Sequence, residues 1–166
     1  LDHLLKAYIE FLKSGHQTKL ALYGRDEDNQ KAMMQDIIDA NHLNNQVSIH
    51  KYTSSPLAEF KKSKASLLTS SYEGFGLTIM ESISMGCPVI SYDVRYGPNE
   101  IIDHAKNGYL VEANNINQLA HKANSTNSVA KEDFNQLKNE YDQLFKLVDE
   151  ALLYKLKRAR DLQRTV

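Results

Sequence analysis

As far as Ala123, short apolar runs alternate with helical patterns along this chain, and that alternation leaves few folds open. Lys19-Leu20-Ala21-Leu22-Tyr23 reads as a strand ending on Gly24, Val47 to His50 as a second, Ala65 to Thr69 as a third, Pro88 to Tyr92 as a buried fourth and Tyr109-Leu110-Val111 as a fifth. Between them the pattern predicts helices from about Asp28 to Asn41, from Pro56 to Lys62 with proline in the first turn, from Thr78 to Met85 closed by Gly86, and from Asn99 to His104 after Gly97-Pro98. A further helix runs from about Ile116 to Ala123, and Leu1, Leu4, Leu5, Tyr8 and Leu12 share one face of an opening helix that Gly15 stops. Parallel strands need crossover connections, which helices supply, so the order implies an α/β fold: a Rossmann-like parallel sheet with helices on both faces. Ligands of such sheets bind beyond the carboxyl ends of the strands. Those ends deliver Lys51, Tyr52 and Thr53 from one strand, Glu73 from the next, and Asp93 to Pro98 from a third.

Most of the chemistry lies in the seventeen residues from Ser71 to Cys87, which read as a strand end, a glycine turn and a helix start. The first turn of a helix carries N–H groups without intrahelical partners and roughly half a positive charge, so it receives anions readily. Gly74 and Gly76 can take positive φ and admit a ligand close to the backbone. A diphosphate over the amides of Gly76, Leu77 and Thr78 would then be bracketed by Glu73 and Glu81, acceptors suited to sugar or ribose hydroxyls. Two plainer readings stay open. Thr78-x-x-Glu81 is also a capping box, which would occupy Glu81 structurally, and Glu73 could be a solvated loop residue.

Composition narrows the class. With 166 residues, 42% hydrophobic and 25% charged, the chain is sized for one globular core. A formal net charge of −1 gives no basic field for nucleic acid. The single cysteine, Cys87, between Gly86 and Pro88, excludes a disulfide framework and reads as a small buried residue. No apolar stretch reaches the ~18 residues of a membrane span, and no Asp-x-Asp or His/carboxylate cluster has ligand spacing. A cytoplasmic protein is expected, and the helical opening suggests that something precedes Leu1. His50, His104 and His121 read as structural histidines, Arg25 as solvated, and Arg95 as either solvated or facing an acceptor phosphate.

Beyond Ser125, Phe134, Leu137, Tyr141, Leu144, Val148 and Ala151 recur at steps of three and four, predicting a long helix with a narrow apolar seam. The seam would pack on this domain, on another domain or in an oligomer. Lys155, Lys157, Arg158, Arg160 and Arg164 make its end basic, which complements a helix C-terminus and also suits peripheral contact with an anionic membrane surface.

From Leu1 to about Ala123 the sequence resembles the retaining glycosyltransferases of family 4, whose GT-B fold pairs two Rossmann-like domains around a cleft. The resemblance rests on Glu73-x7-Glu81 within Ser-x-Tyr-Glu-Gly-Phe-Gly-Leu, on Met85-Gly86-Cys87-Pro88-Val89-Ile90 and on Asn107-Gly108-Tyr109-Leu110-Val111. The segment from Ser91 to Glu100 is similar to enzymes that glycosylate poly(glycerol or ribitol phosphate) teichoic acids or add N-acetylglucosamine to serine-rich adhesins. The resemblance implies that residues 1–124 are the C-terminal, donor-binding domain and that 125–166 form a helical extension. It implies a UDP-sugar donor, with Glu73 beside the sugar, Glu81 on the ribose hydroxyls, the amides of Gly74, Phe75, Gly76, Leu77 and Thr78 on sugar and diphosphate, and Tyr52, Thr53 and Leu57 around the base. No metal or cofactor is implied. It also implies that an arginine and a lysine that clamp the diphosphate, a first central strand and the acceptor-binding domain lie outside this chain, leaving an incomplete sheet and a donor half-site with impaired binding and essentially no transfer. A UDP-sugar epimerase and a non-catalytic partner or chaperone subunit are the alternatives.

Overall fold

The computed structural model describes residues 2–24, 29–74 and 76–126, with Gln143 and Lys146. Apart from those two residues, the predicted long helix beyond Ser125 lies outside the described residues, as do Arg25 and Phe75. The order is α1 (Asp2–Lys13), β1 (Leu20–Tyr23), α2 (Gln30–Ala40), β2 (Val47–His50), α3 (Pro56–Lys62), β3 (Ser66–Leu68), α4 (Leu77–Ser84), β4 (Val89–Tyr92), α5 (Pro98–Ile101), β5 (Gly108–Val111) and α6 (Ile116–Ser125). Every strand pair is parallel, as a single helical crossover between consecutive strands requires.

The centre of the core is β4. All four of its residues are buried. Successive strand side chains point to opposite faces, so this burial means that both faces are covered. Helix α4 packs on β4 and so does α6. Ile79 and Ile83 of α4, Val89 and Ile90 of β4, and Leu119 of α6 are fully excluded from solvent, each burial stabilising by about 1.5–3 kcal/mol. Helix α1 adds Leu4, Leu5, Tyr8 and Phe11 to the same core and lies against α6. The Tyr8 hydroxyl donates to the Thr18 carbonyl, which closes the turn into β1.

Hydrogen bonding divides the strands into two sheets, β1-β2 and β3-β4-β5, where the alternation predicts one. No described strand joins β1 to β3. Consequently β3 is only half-buried throughout, and Ala21 and Tyr23 of β1 are exposed, unlike the interior strands of a continuous parallel sheet. Leu4, Leu67, Leu68 and the residues Thr69, Ser70 and Ser71 line an open groove of about 340 Å³ beside β3. The halves are joined through helices, α1 to α2 and α6 on one side and α3 to α4 on the other.

Two helices beside the glycine loop differ in their ends from the sequence expectation. Helix α5 ends at Ile101 instead of His104, because the Asn107 side chain takes the Asp103 N–H at 2.9 Å and gives an N–H to the Ile101 carbonyl at 3.1 Å. Those bonds terminate the helix from a residue outside it. Helix α4 starts at Leu77 instead of Thr78.

Candidate functional site

The start of α4 is set by Gly76. At φ 72° and ψ 31° it occupies the left-handed region, and its carbonyl accepts from the Ile79 N–H at 2.9 Å and the Met80 N–H at 3.2 Å. No side chain caps the helix, so the Thr78-x-x-Glu81 capping box does not form and Glu81 is left without that duty. Leu77 and Thr78 occupy the first two helical positions and are exposed, Leu77 at 51%. Among the described residues neither amide donates to a backbone carbonyl. These are the unpaired donors at the positive end of the helix dipole that an anion would use.

The loop ahead of α4 carries Glu73, half-buried, whose carbonyl accepts from the Tyr96 N–H at 3.4 Å. That bond ties the β3–α4 loop to the β4–α5 loop, so two of the three expected strand-end segments do meet. The two glycines differ. Gly74 is exposed, with open space where a Cβ would stand, and it is not among the positive-φ glycines. Gly76 is the one that needs its conformation.

Glu81 is half-buried on α4, and its carboxylate makes no hydrogen bond or ion pair among the described residues. Burial pushes its pKa above the ordinary glutamate value of 4.5. A raised folded-state pKa means that the native state binds the proton more tightly than the unfolded chain, so the associated stability is present below pH 4.5 and is lost as pH rises through the folded value. Glu81→Gln should therefore melt higher than the wild type at pH 7 and match it at pH 4, in thermal scans at both. An unchanged difference at the two pH values would show that the charge is not what the site opposes.

The remaining predicted residues stand on the other sheet. Tyr52, 66% exposed, and Thr53, half-buried, follow β2, and the Thr53 hydroxyl accepts from the Ser55 N–H at 3.1 Å, a local turn. Leu57, exposed on α3, belongs to the helix that packs on α4. The α3–α4 contact thus brings the Tyr52 segment toward the helix that carries Glu81.

His50 and His104 resolve as structural. His50 stacks on Tyr23 with ring centroids 4.7 Å apart, and the Tyr23 hydroxyl donates to Glu59 at 3.0 Å. His104 Nδ1 accepts from the Leu110 N–H at 3.4 Å, and its ring meets Tyr109 edge-on. His121 and Arg95 are exposed. Cys87 is fully buried, and burial pushes its thiol pKa up. Among the described residues no three His, Cys, Asp or Glu side chains gather as a metal site would require, and no helix is long and apolar enough to cross a membrane. The Asp93 to Pro98 loop is expected at this edge and Tyr96 brings it there, whereas nothing in the sequence points to Ile101 as a neighbour of Gly76.

Residues 1–144 match the family model described as "Glycosyl transferases group 1". The chain is 39% identical over 119 residues to the poly(glycerol-phosphate) alpha-glucosyltransferase of Bacillus subtilis, covering 72% of this chain and 17% of that protein. It is 34% identical over 122 residues to the poly(ribitol-phosphate) alpha-N-acetylglucosaminyltransferase of Staphylococcus aureus, covering 74% and 24%. The crystal structure of the pneumococcal O-GlcNAc transferase GtfA in complex with UDP and GlcNAc superimposes with a TM-score of 0.71 at 26% identity, over 91% of this chain and 33% of that one. The chain thus spans less than a third of the length of these two curated relatives. A parallel α/β arrangement with a glycine loop at the strand ends, together with a family match over most of its length, places this chain among the group 1 glycosyl transferases of GT-B fold.

Proposed function

We propose that residues 1–124 form the donor-binding domain of a retaining UDP-sugar glycosyltransferase, with 125–166 as a helical extension. One observation carries the reading. Among the described residues, helix α4 presents two first-turn amides without a backbone acceptor and holds Glu81 half-buried without a partner. Desolvating a carboxylate without compensation is unfavourable, and a ligand hydroxyl would supply the missing donor. In this reading the amides from Gly74 to Thr78 receive sugar and diphosphate, Glu81 holds the ribose hydroxyls, and Tyr52, Thr53 and Leu57 border the base.

Glu73 orients the sugar at its anomeric carbon. The bond from that carbon to the diphosphate oxygen breaks, the acceptor oxygen bonds on the same face, and the acceptor proton passes to the departing diphosphate. Fixed N–H dipoles stabilise that leaving group without reorganising. The names of the relatives support glucose or N-acetylglucosamine as the sugar and a polyol-phosphate polymer or a protein as the acceptor.

Isothermal titration with UDP tests the donor site. The wild-type chain should bind equally with and without magnesium, and Glu81→Ala should weaken binding about tenfold or more, the scale of a lost hydrogen bond to a charged group. Binding that survives Glu81→Ala unchanged would remove Glu81 from the site, and a folded chain that ignores UDP would overturn the reading for this chain.

A further inference from the structure

The Asn107-Gly108 pair, which the family resemblance leaves without a task, stands where the chain enters β5. Asn107 is fully buried although polar. Its side-chain oxygen accepts the Asp103 N–H at 2.9 Å, its side-chain nitrogen donates to the Ile101 carbonyl at 3.1 Å, and its own carbonyl accepts from Val89 at 3.2 Å. It therefore fastens the end of α5 to the first residue of the central strand β4. A buried amide with these bonds satisfied rigidifies what it joins.

Ile101, the residue so held, reaches in the opposite direction. A Cβ built on Gly76 would stand 2.8 Å from Ile101 Cδ1, 3.4 Å from Ile79 Cδ1 and 3.7 Å from the Gly97 Cα, so the Ile101 methyl fills the space beside the glycine that begins α4. A continuous chain of contacts thus runs from β4 through Asn107 and Ile101 to Gly76. The carbonyl of Gly76 is in turn the acceptor for Ile79 and Met80.

We infer that Ile101, anchored by Asn107, is a positioning residue that fixes Gly76 and thereby the direction of the first-turn amides of α4. Its consequence for donor binding rests on the proposed function, but the positioning itself does not. Preorganised donors act through their placement, and a displacement well under the size of an atom weakens them. Ile101 touches no ligand in this scheme.

Ile101→Val removes only the Cδ1 methyl that meets Gly76, and Ile102→Val removes the same methyl from the buried neighbour, 5% exposed, as a control for core erosion. Amide hydrogen exchange read by NMR reports the outcome without any ligand. In Ile101→Val the Ile79 and Met80 amides should exchange about tenfold faster while the β4 amides are unchanged, a local opening. In Ile102→Val, Ile79 and Met80 should stay within about twofold of wild type. Unchanged exchange in Ile101→Val, or equal acceleration at α4 and β4 in both variants, overturns the inference. UDP titration of the same proteins separates the two claims. Loss of affinity in Ile101→Val alone extends the positioning to the donor, whereas a wild-type chain that ignores UDP sinks the donor site and leaves the exchange result to decide Ile101.

Discussion

Gly108→Ala should cost about 3 kcal/mol of stability, at the upper end of what overpacking a core produces. A Cβ at this position would stand 2.1 Å from the Val89 carbonyl oxygen and 3.1 Å from the Val89 carbonyl carbon and nitrogen. These are backbone atoms of the partner strand, paired in register with Gly108, and no rotamer change can move them aside. Relief would require separating β4 from β5 where Ala105 N–H also donates to the Gly108 carbonyl at 2.8 Å. Urea denaturation should show a lower midpoint at an unchanged slope. Gly24→Ala, where a Cβ meets nothing within 4 Å, is the matched control and should stay within about 0.5 kcal/mol of wild type. Equal stabilities for Gly108→Ala and the control would mean that the two strands lie further apart than this register places them.

Gly76→Ala should combine two penalties that fall on function as well as stability. An alanine forced to φ 72° costs about 1–2 kcal/mol through the left-handed conformation alone. The new methyl must also displace Ile101 Cδ1 from 2.8 Å, which a side-chain end can do but only by changing the contact that seats the loop. If the variant instead relaxes its backbone, the carbonyl that receives Ile79 and Met80 turns away and the first turn of α4 loosens. Either route moves the donor amides, so UDP affinity should fall about tenfold or more while the melt drops only modestly. An alanine variant that melts lower yet binds UDP like the wild type would separate the helix start from ligand recognition.

Much of this was legible in the chain itself. Val47–His50 and Pro56–Lys62 begin and end where period and turn residues predict, because local hydrophobic pattern and the fixed φ of proline act on neighbours in sequence. The parallel direction followed from the single helix between successive strands. What composition left open was which of two neighbouring residues would begin the helix. Thr78-x-x-Glu81 has the composition of a capping box, but Gly76 takes the cap position and leaves Glu81 half-buried and, among the described residues, without a partner. Gly74 and Gly76 look alike in sequence, and only Gly76 is held in a conformation that disfavours a side chain.

Sequence alone determined the order of elements, their class and the strand end at which Glu73 would stand, since each depends on residues within a few positions of one another. Tertiary structure decided how those elements join. It split the strands into two sheets, ended α5 through Asn107, brought Tyr96 N–H to the Glu73 carbonyl and pressed Ile101 on Gly76. The last three are close approaches between residues six to twenty-five positions apart, where steric fit and the need to pair buried polar groups choose among arrangements that local propensity leaves equal.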